Sequence, residues 1–235
     1  MILTRRIERG VFVTATSTGC GKTFVSRGLA HALVRRGLRV AAVKPIETGC
    51  DPDPVDAIAL AHACGRPELA SATGFYRARP ALSPYAVALE RGPSILDPAT
   101  LAGCVEHAAE GADVAIVEGA GGLFVPIRRP DTIASLAAEL GLPLLVVAPD
   151  RLGTLSHVTA ILRSAPPLEV SAVILSRHAG DRSDPSRRSN YAIVAEHGLP
   201  VHVFDETADD DDALADEAER SGLADLLLSR TPRSP

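Results

Sequence analysis

Lysine occurs only twice in this chain. Of its 24 Lys and Arg residues, Lys22 and Lys44 alone are Lys. Arg can replace Lys as a surface charge. It is bulkier and forked, so it substitutes poorly for a slim point charge in a tight site. Lys22 falls in "TATSTGCGKT" (14–23), directly after the apolar run "VFVTA" (11–15). A phosphate loop needs small residues, so that backbone N–H groups can face oxyanions. It also needs a Lys for the β- and γ-phosphates and a hydroxyl for Mg²⁺. Gly19, Cys20 and Gly21 make such a turn, Lys22 supplies the charge and Thr23 the hydroxyl. The strict G-x4-G-K-[ST] pattern fails at one place, because Thr16 stands where its first Gly would be.

Lys44 falls in "VKPIETG" (43–49), at the end of the next apolar run. In open α/β sheets the C-terminal ends of the strands face the ligand crevice. Thr48 and Gly49 follow, then Asp51, Asp53 and Asp56. Mg²⁺ at a nucleotide site takes one or two carboxylates plus phosphate oxygens and water, and one of these aspartates could reach it. A third apolar run ends in "VEGAGGLFVP" (117–126). Glu118 at its tip could bind metal, and Gly119, Ala120 and Gly121 would let backbone approach a ligand. Together the three strand tips predict a single nucleotide site.

The elements that must carry these residues alternate along the chain. Strands are expected at 11–15, 39–45, 113–119, 143–149, 170–176 and 199–204. Helices are expected at 23–37, 54–65, 97–111, 131–141, 154–164 and 186–197. Asp97 and Asp131 read as N-caps and Pro98 as a first-turn residue. The strand runs are continuously apolar rather than alternating, which fits a parallel sheet buried on both faces. The β–α alternation predicts an α/β fold: a doubly wound, mostly parallel sheet with helices on both faces, of the P-loop NTPase type. One domain over 1–228 is expected, with a disordered tail at 229–235. The acidic run "DETADDDDALADEAER" (205–220) reads as a solvated helix face with aspartates at its N-terminus.

Composition narrows the function classes. Aromatic residues make up 3% of the chain, so the core must rest on Ala, Val, Leu and Ile. The net charge is −5 and the basic residues are scattered, which leaves no footprint for nucleic acid. No apolar run approaches the ~18 residues that a membrane span needs. Cys20, Cys50, Cys64 and Cys104 include no CxxC pair, which argues against a zinc or redox motif. The segment "MILTRRIERGVFV" lacks the apolar region of a signal peptide. A reduced, cytoplasmic protein is expected.

The order and spacing of "TATSTGCGKT", "VKPIETGC", "DAIAL", "SPYAVALERG", "VEGAGGLFVPI", "LGTLSH" and "RRSNY" resemble dethiobiotin synthetase, over about residues 11–200. That family makes dethiobiotin in biotin synthesis and belongs to ATPases with deviant phosphate loops. The resemblance implies 7,8-diaminopelargonic acid, CO₂ or bicarbonate, and ATP as substrates, with Mg²⁺. An N-carbamate forms and ATP phosphorylates it. The second amine then closes a cyclic urea and expels phosphate. By resemblance, Lys22 holds the phosphates and Lys44 is the catalytic lysine. Thr23, Asp56 and Glu118 make the metal site, and Thr18 and Thr48 meet the substrate. The resemblance also implies a homodimer in which Leu152, Gly153, Thr154, Leu155, Ser156 and Tyr191 receive the substrate carboxylate.

Ser176 and Arg177 stand where the family carries a pair that reads adenine, commonly Asn-Asp. The segment "VHVFDE" (201–206) also lacks the usual Gly…Pro stretch near the base. Weak selectivity among nucleoside triphosphates is expected. The alternative reading is a partitioning or positioning ATPase, a switch that binds a protein or DNA partner. Such proteins carry a second Lys at the start of the loop, where this chain has Ser17.

Overall fold

Among the described residues every pairing between strands is parallel, and six strands form one sheet. In the computed structural model, which describes residues 7–90, 92–178 and 182–229, the chain runs as follows. It begins with β1 (Gly10–Ala15), α1 (Lys22–Arg35), β2 (Val40–Val43), β3 (Ile46–Thr48) and α2 (Val55–Ala63). After a 3-10 turn at Pro67–Ser71 come β4 (Tyr76–Ala78), α3 (Pro84–Leu89), α4 (Pro98–Ala108) and β5 (Val114–Glu118). The second half holds α5 (Ile133–Leu140), β6 (Leu144–Pro149), α6 (Thr154–Ser164) and β7 (Val170–Ser176). The last elements are α7 (Arg187–Ala195), β8 (Val201–Phe204), α8 (Asp211–Arg220) and α9 (Leu223–Leu228).

The large sheet has the order β2-β5-β1-β6-β7-β8. From β1 the chain moves toward β2, and from β6 it moves the other way toward β7. The switch point therefore lies between β1 and β6, where an open sheet forms its ligand crevice. Every residue of β1, β2, β5 and β6 is buried, which accounts for their unbroken apolar runs. Helix α1 packs against α2, α8 and α9, while α4 packs against α5 and α6 against α7. Val, Leu, Ile and Ala dominate the core, with Phe12 and Phe204 its largest buried side chains.

Several local expectations shift. The second strand stops at Val43, so Lys44 and Pro45 lie just past its end. Strands β3 and β4 form a separate two-stranded sheet. Their three-residue segments carry no apolar run, so periodicity could not reveal them. Asp97 caps α4, accepting the Thr100 N–H at 3.0 Å. Asp131 does not cap α5. Thr132 does, in a reciprocal capping box with Ser135. The tail expected at 229–235 lies outside the described residues from 230 onward.

The acidic run is more than a solvated face. Residues 205–208 form no regular element, and α8 lies against α1 with Leu214, Ala215 and Ala218 buried. Its carboxylates meet α1 cations: Arg27 with Asp209 and Asp211, Arg35 with Asp216, and Arg36 with Glu219. Pairs at or near the surface contribute little individually, so the fit of the two helices depends on packing. At the closest approach is Gly28, where a Cβ would sit 2.4 Å from the Leu214 carbonyl oxygen and 3.0 Å from Phe204. Ala is the better helix former by about 1 kcal/mol. Overpacking against backbone costs about 1–3 kcal/mol and should win. Gly28→Ala is thus expected to lower the urea unfolding midpoint. A raised midpoint would mean that α8 gives way freely.

Candidate active site

The phosphate-loop segment runs from the end of β1 to the start of α1. Gly21 sits in the left-handed region at φ 86° and forms the N-cap of α1, with no side chain capping the helix. The first N–H groups of α1 have no intrahelical acceptor, and no acidic residue occupies its first turn. Such a terminus favours an anion. Gly21 is also held sterically: a Cβ there would lie 2.4 Å from Ser176 Oγ. Cys20 is buried, with its Sγ 3.1 Å from Ser17 Oγ.

Beneath the loop the two lysines and their carboxylates converge. Glu118, at the tip of β5, is fully buried. Its Oε1 accepts from Lys44 Nζ at 2.9 Å and from Thr23 Oγ1 at 3.0 Å. Lys44 also donates to Asp56 at the start of α2. Burial alone would lower the Lys44 ammonium, but Glu118 and Asp56 outweigh it and raise it above the usual lysine range. Among the described residues Lys22 has no such pairing. Burial, opposed chiefly by Glu118, holds it below that range. A phosphate would supply the anion that Lys22 lacks.

Above this cluster opens a cleft of about 420 Å³. The loop residues Gly19 to Thr23, Lys44 and Asp56 line it, together with Phe24, Arg27, His178 and Asp209. His178 stacks on Phe24 with ring centroids 4.3 Å apart and planes 10° from parallel.

Of the three candidate aspartates, Asp56 reaches the cluster, whereas Asp51 and Asp53 are exposed and do not line the cleft. The Gly119–Gly121 turn packs beside the loop, and a Cβ on Gly121 would lie 3.6 Å from Thr18 Cγ2. Thr18 is exposed and Thr48 half-buried on β3, and neither lines the cleft.

The base-reading pair is differently employed. Ser176 is fully buried beneath Gly21. Arg177 binds Asp150 at 2.9 Å and Asp205 at 2.7 Å, away from the cleft lining. The residue one position further on, His178, is the one that faces the cleft. Sequence reasoning missed it, along with Phe24, Arg27 and Asp209. Only the i, i+3 spacing of Phe24 and Arg27 on one helix face could have signalled two of them.

The segment expected to receive the substrate carboxylate gathers at the end of β6, outside the cleft. Gly153, at φ 93°, is the N-cap of α6, Leu152 is 82% exposed and Ser156 is exposed. Leu155 is half-buried and Tyr191 is 49% exposed. Thr154 is buried, and both of its donors are engaged, the hydroxyl with the Pro149 carbonyl and the N–H with the Arg151 carbonyl. The chain's one Asn has a structural use here. Asn190 is buried and donates to Asp150 Oδ1 at 2.9 Å, tying α7 to this turn.

A phosphate loop at the switch point of a parallel α/β sheet, with two buried lysines and a buried carboxylate under it, defines a P-loop NTPase. A family model described as "AAA domain" matches residues 9–203. The chain is 41% identical over 195 residues to the ATP-dependent dethiobiotin synthetase BioD of Anaeromyxobacter dehalogenans strain 2CP-1, covering 80% of this chain and 84% of that one. It is 40% identical over 206 residues to the protein of the same name from Anaeromyxobacter sp. strain K, covering 83% and 89%. The chain belongs to this AAA-domain family and, within it, to the ATP-dependent dethiobiotin synthetases. Two solved structures share the fold. Chloroplast FtsY from Physcomitrella patens has a TM-score of 0.51 at 17% identity. The signal recognition particle receptor FtsY from Elizabethkingia anophelis has 0.54 at 18%. The likeness covers 91% of this chain in both cases, and 65% and 66% of those chains.

Proposed function

We propose that this chain makes dethiobiotin from 7,8-diaminopelargonic acid, CO₂ and ATP. The single observation that carries the reading within the family is the meeting of Lys44, Thr23 and Glu118 at the foot of the phosphate loop. The diamine and CO₂ form an N-carbamate. Its oxygen attacks the γ-phosphorus of ATP, giving a carbamic-phosphoric anhydride and ADP. The second amine attacks the carbamoyl carbon, closing the cyclic urea and releasing phosphate. Phosphoryl transfer of this kind needs positioning and cations rather than a nucleophilic side chain. Lys22 and the α1 N-terminus hold the phosphates. Lys44, kept charged by its two carboxylates, faces the oxygens on which charge develops.

The donor set suits Mg²⁺. Thr23 offers a hydroxyl, Asp56 a half-exposed carboxylate, and Glu118 Oε2 is buried with no hydrogen-bond partner among the described residues. Among those residues no three His, Cys, Asp or Glu side chains form a metal cage. Thr23, Asp56 and Glu118 would therefore hold the ion together with phosphate oxygens and water. Bound there, Mg²⁺ neutralises charge on the β- and γ-phosphates.

A homodimer completes the reading. The α6 N-terminus and Tyr191 lie outside the cleft, as expected if they receive the carboxylate of substrate held by the other subunit. The enzyme is expected to act in the cytoplasm; among the described residues no helix is long and apolar enough to cross a membrane. The partitioning-ATPase reading has less support, because its second loop lysine is Ser17 here and the curated relatives carry the synthetase name. The test is mass-spectrometric detection of dethiobiotin from diamine, bicarbonate and MgATP. Purified enzyme that yields none would overturn the proposal.

Base selectivity follows from the placement of Ser176 and Arg177. Strong discrimination needs buried polar groups that a wrong base leaves unpaired. Ser176 is under the loop and Arg177 is spent on Asp150 and Asp205. The kcat/KM values for ATP, GTP, CTP and UTP are expected to agree within about a hundredfold, about 2.7 kcal/mol. A larger preference for ATP would assign the reading to other groups.

A further inference from the structure

One buried anion near the site has no part in the chemistry above. Glu47 is 4% exposed and lies on β3, between Lys44 and Thr48 in the chain. Its Oε1 accepts the Asp56 N–H at 2.9 Å and its Oε2 the Ala57 N–H at 3.0 Å. Helix α2 has no capping side chain of its own, since Pro54 holds its N-cap position. Glu47 therefore caps α2 from a neighbouring strand. The bond on Oε1 goes to the very residue whose carboxylate meets Lys44.

A partner on the next strand completes this support. Arg77 stands directly opposite Glu47 in the β3–β4 register. It donates to the Lys44 carbonyl at 2.9 Å and to the Ala70 carbonyl at 3.0 Å. Burial lowers the Arg77 guanidinium, and the Glu47 charge opposes that shift. Thus Arg77 fixes the Lys44 backbone, and Glu47 fixes the Asp56 backbone. A free α2 N-terminus could fray, and Asp56 sits in its first turn.

We propose that Glu47 is a positioning residue, which holds Asp56 in register with Lys44 and with the metal-binding side of the cleft by capping α2 across the strand. The inference rests on the proposed synthetase reading. Outer-shell partners of metal-binding groups commonly cost 10–100-fold in metal affinity or activity when removed.

The test compares wild-type enzyme, Glu47→Gln, Asp56→Asn and the double variant under one set of conditions. Dethiobiotin formation is followed across a Mg²⁺ titration. Gln keeps one acceptor oxygen but turns an NH₂ donor toward the second N–H. Glu47→Gln is expected to raise the Mg²⁺ needed for half-maximal rate by about tenfold or more, with the KM for ATP at saturating Mg²⁺ little changed. In the Asp56→Asn background the same change should cost much less, because Glu47 acts through Asp56. A merely structural role would lower the melting temperature and leave the Mg²⁺ titration unmoved. Glu47→Asp keeps the charge facing Arg77 but shortens the reach. It serves if Glu47→Gln does not fold, with the same direction of change expected. A Mg²⁺ requirement within twofold of wild type in a folded variant would overturn the inference. So would equal costs in both backgrounds. Wild-type enzyme that forms no dethiobiotin would instead overturn the synthetase reading.

Discussion

Lys44→Arg is expected to lower kcat for dethiobiotin formation by about 10²–10³-fold, roughly 2.7–4 kcal/mol of transition-state stabilisation. The site leaves no room for a conservative exchange. Lys44 is 6% exposed, and its ammonium fills the gap between Glu118 and Asp56. A guanidinium keeps the charge but spreads it over a planar fork. It would engage the carboxylates side-on and displace the charge from the position of the carbamate and the transferred phosphoryl group. The interaction belongs to the transition state, so kcat should fall much further than nucleotide affinity. Steady-state kinetics with a separate nucleotide-binding titration checks this. Near-normal turnover would remove Lys44 from the mechanism.

Glu118→Gln should have an effect of similar size with a different signature. Glu118 is fully buried and accepts from both Lys44 and Thr23. Removing one partner of a buried pair outright costs about 3–5 kcal/mol of stability. Gln retains an acceptor oxygen, so the folded state should survive with a smaller loss. The negative charge that both lysines face disappears, as does a carboxylate suited to Mg²⁺. A drop in kcat of about 10²-fold or more is expected, together with a raised Mg²⁺ requirement. A Glu118→Gln enzyme with an unchanged Mg²⁺ titration would show that Glu118 only anchors Lys44.

The sequence made these two residues legible for a physical reason. A chain that uses Arg almost everywhere keeps Lys at 22 and 44. Glu118 closes an unbroken apolar strand, where a carboxylate at the tip stands out. The strands were readable because burial on both faces leaves continuous apolar runs. The residue pattern alone did not separate Asp56 from Asp51 and Asp53; only the resemblance did, because what selects Asp56 physically is distant. Glu47 on β3 caps α2 and fixes Asp56 beside Lys44. Likewise, the acidic run 205–220 looked solvated because the α1 cations it meets lie more than 170 positions earlier. His178 escaped notice because its role depends on stacking with Phe24, a contact no local pattern encodes. Ser176 and Arg177 took the expected position in the chain. The sheet then buried one under Gly21 and paired the other with Asp150 and Asp205.

The central claim is that Lys22, Lys44, Thr23, Asp56 and Glu118 form one catalytic unit for a carbamate-activating phosphoryl transfer. Phosphate release from ATP, measured while diamine, bicarbonate and Mg²⁺ are each omitted in turn, tests it most directly. The predicted result is phosphate release only when all three are present, in equal amount to the dethiobiotin formed. ATP hydrolysis that ignores the diamine, or that responds instead to DNA or lipid vesicles, would contradict it.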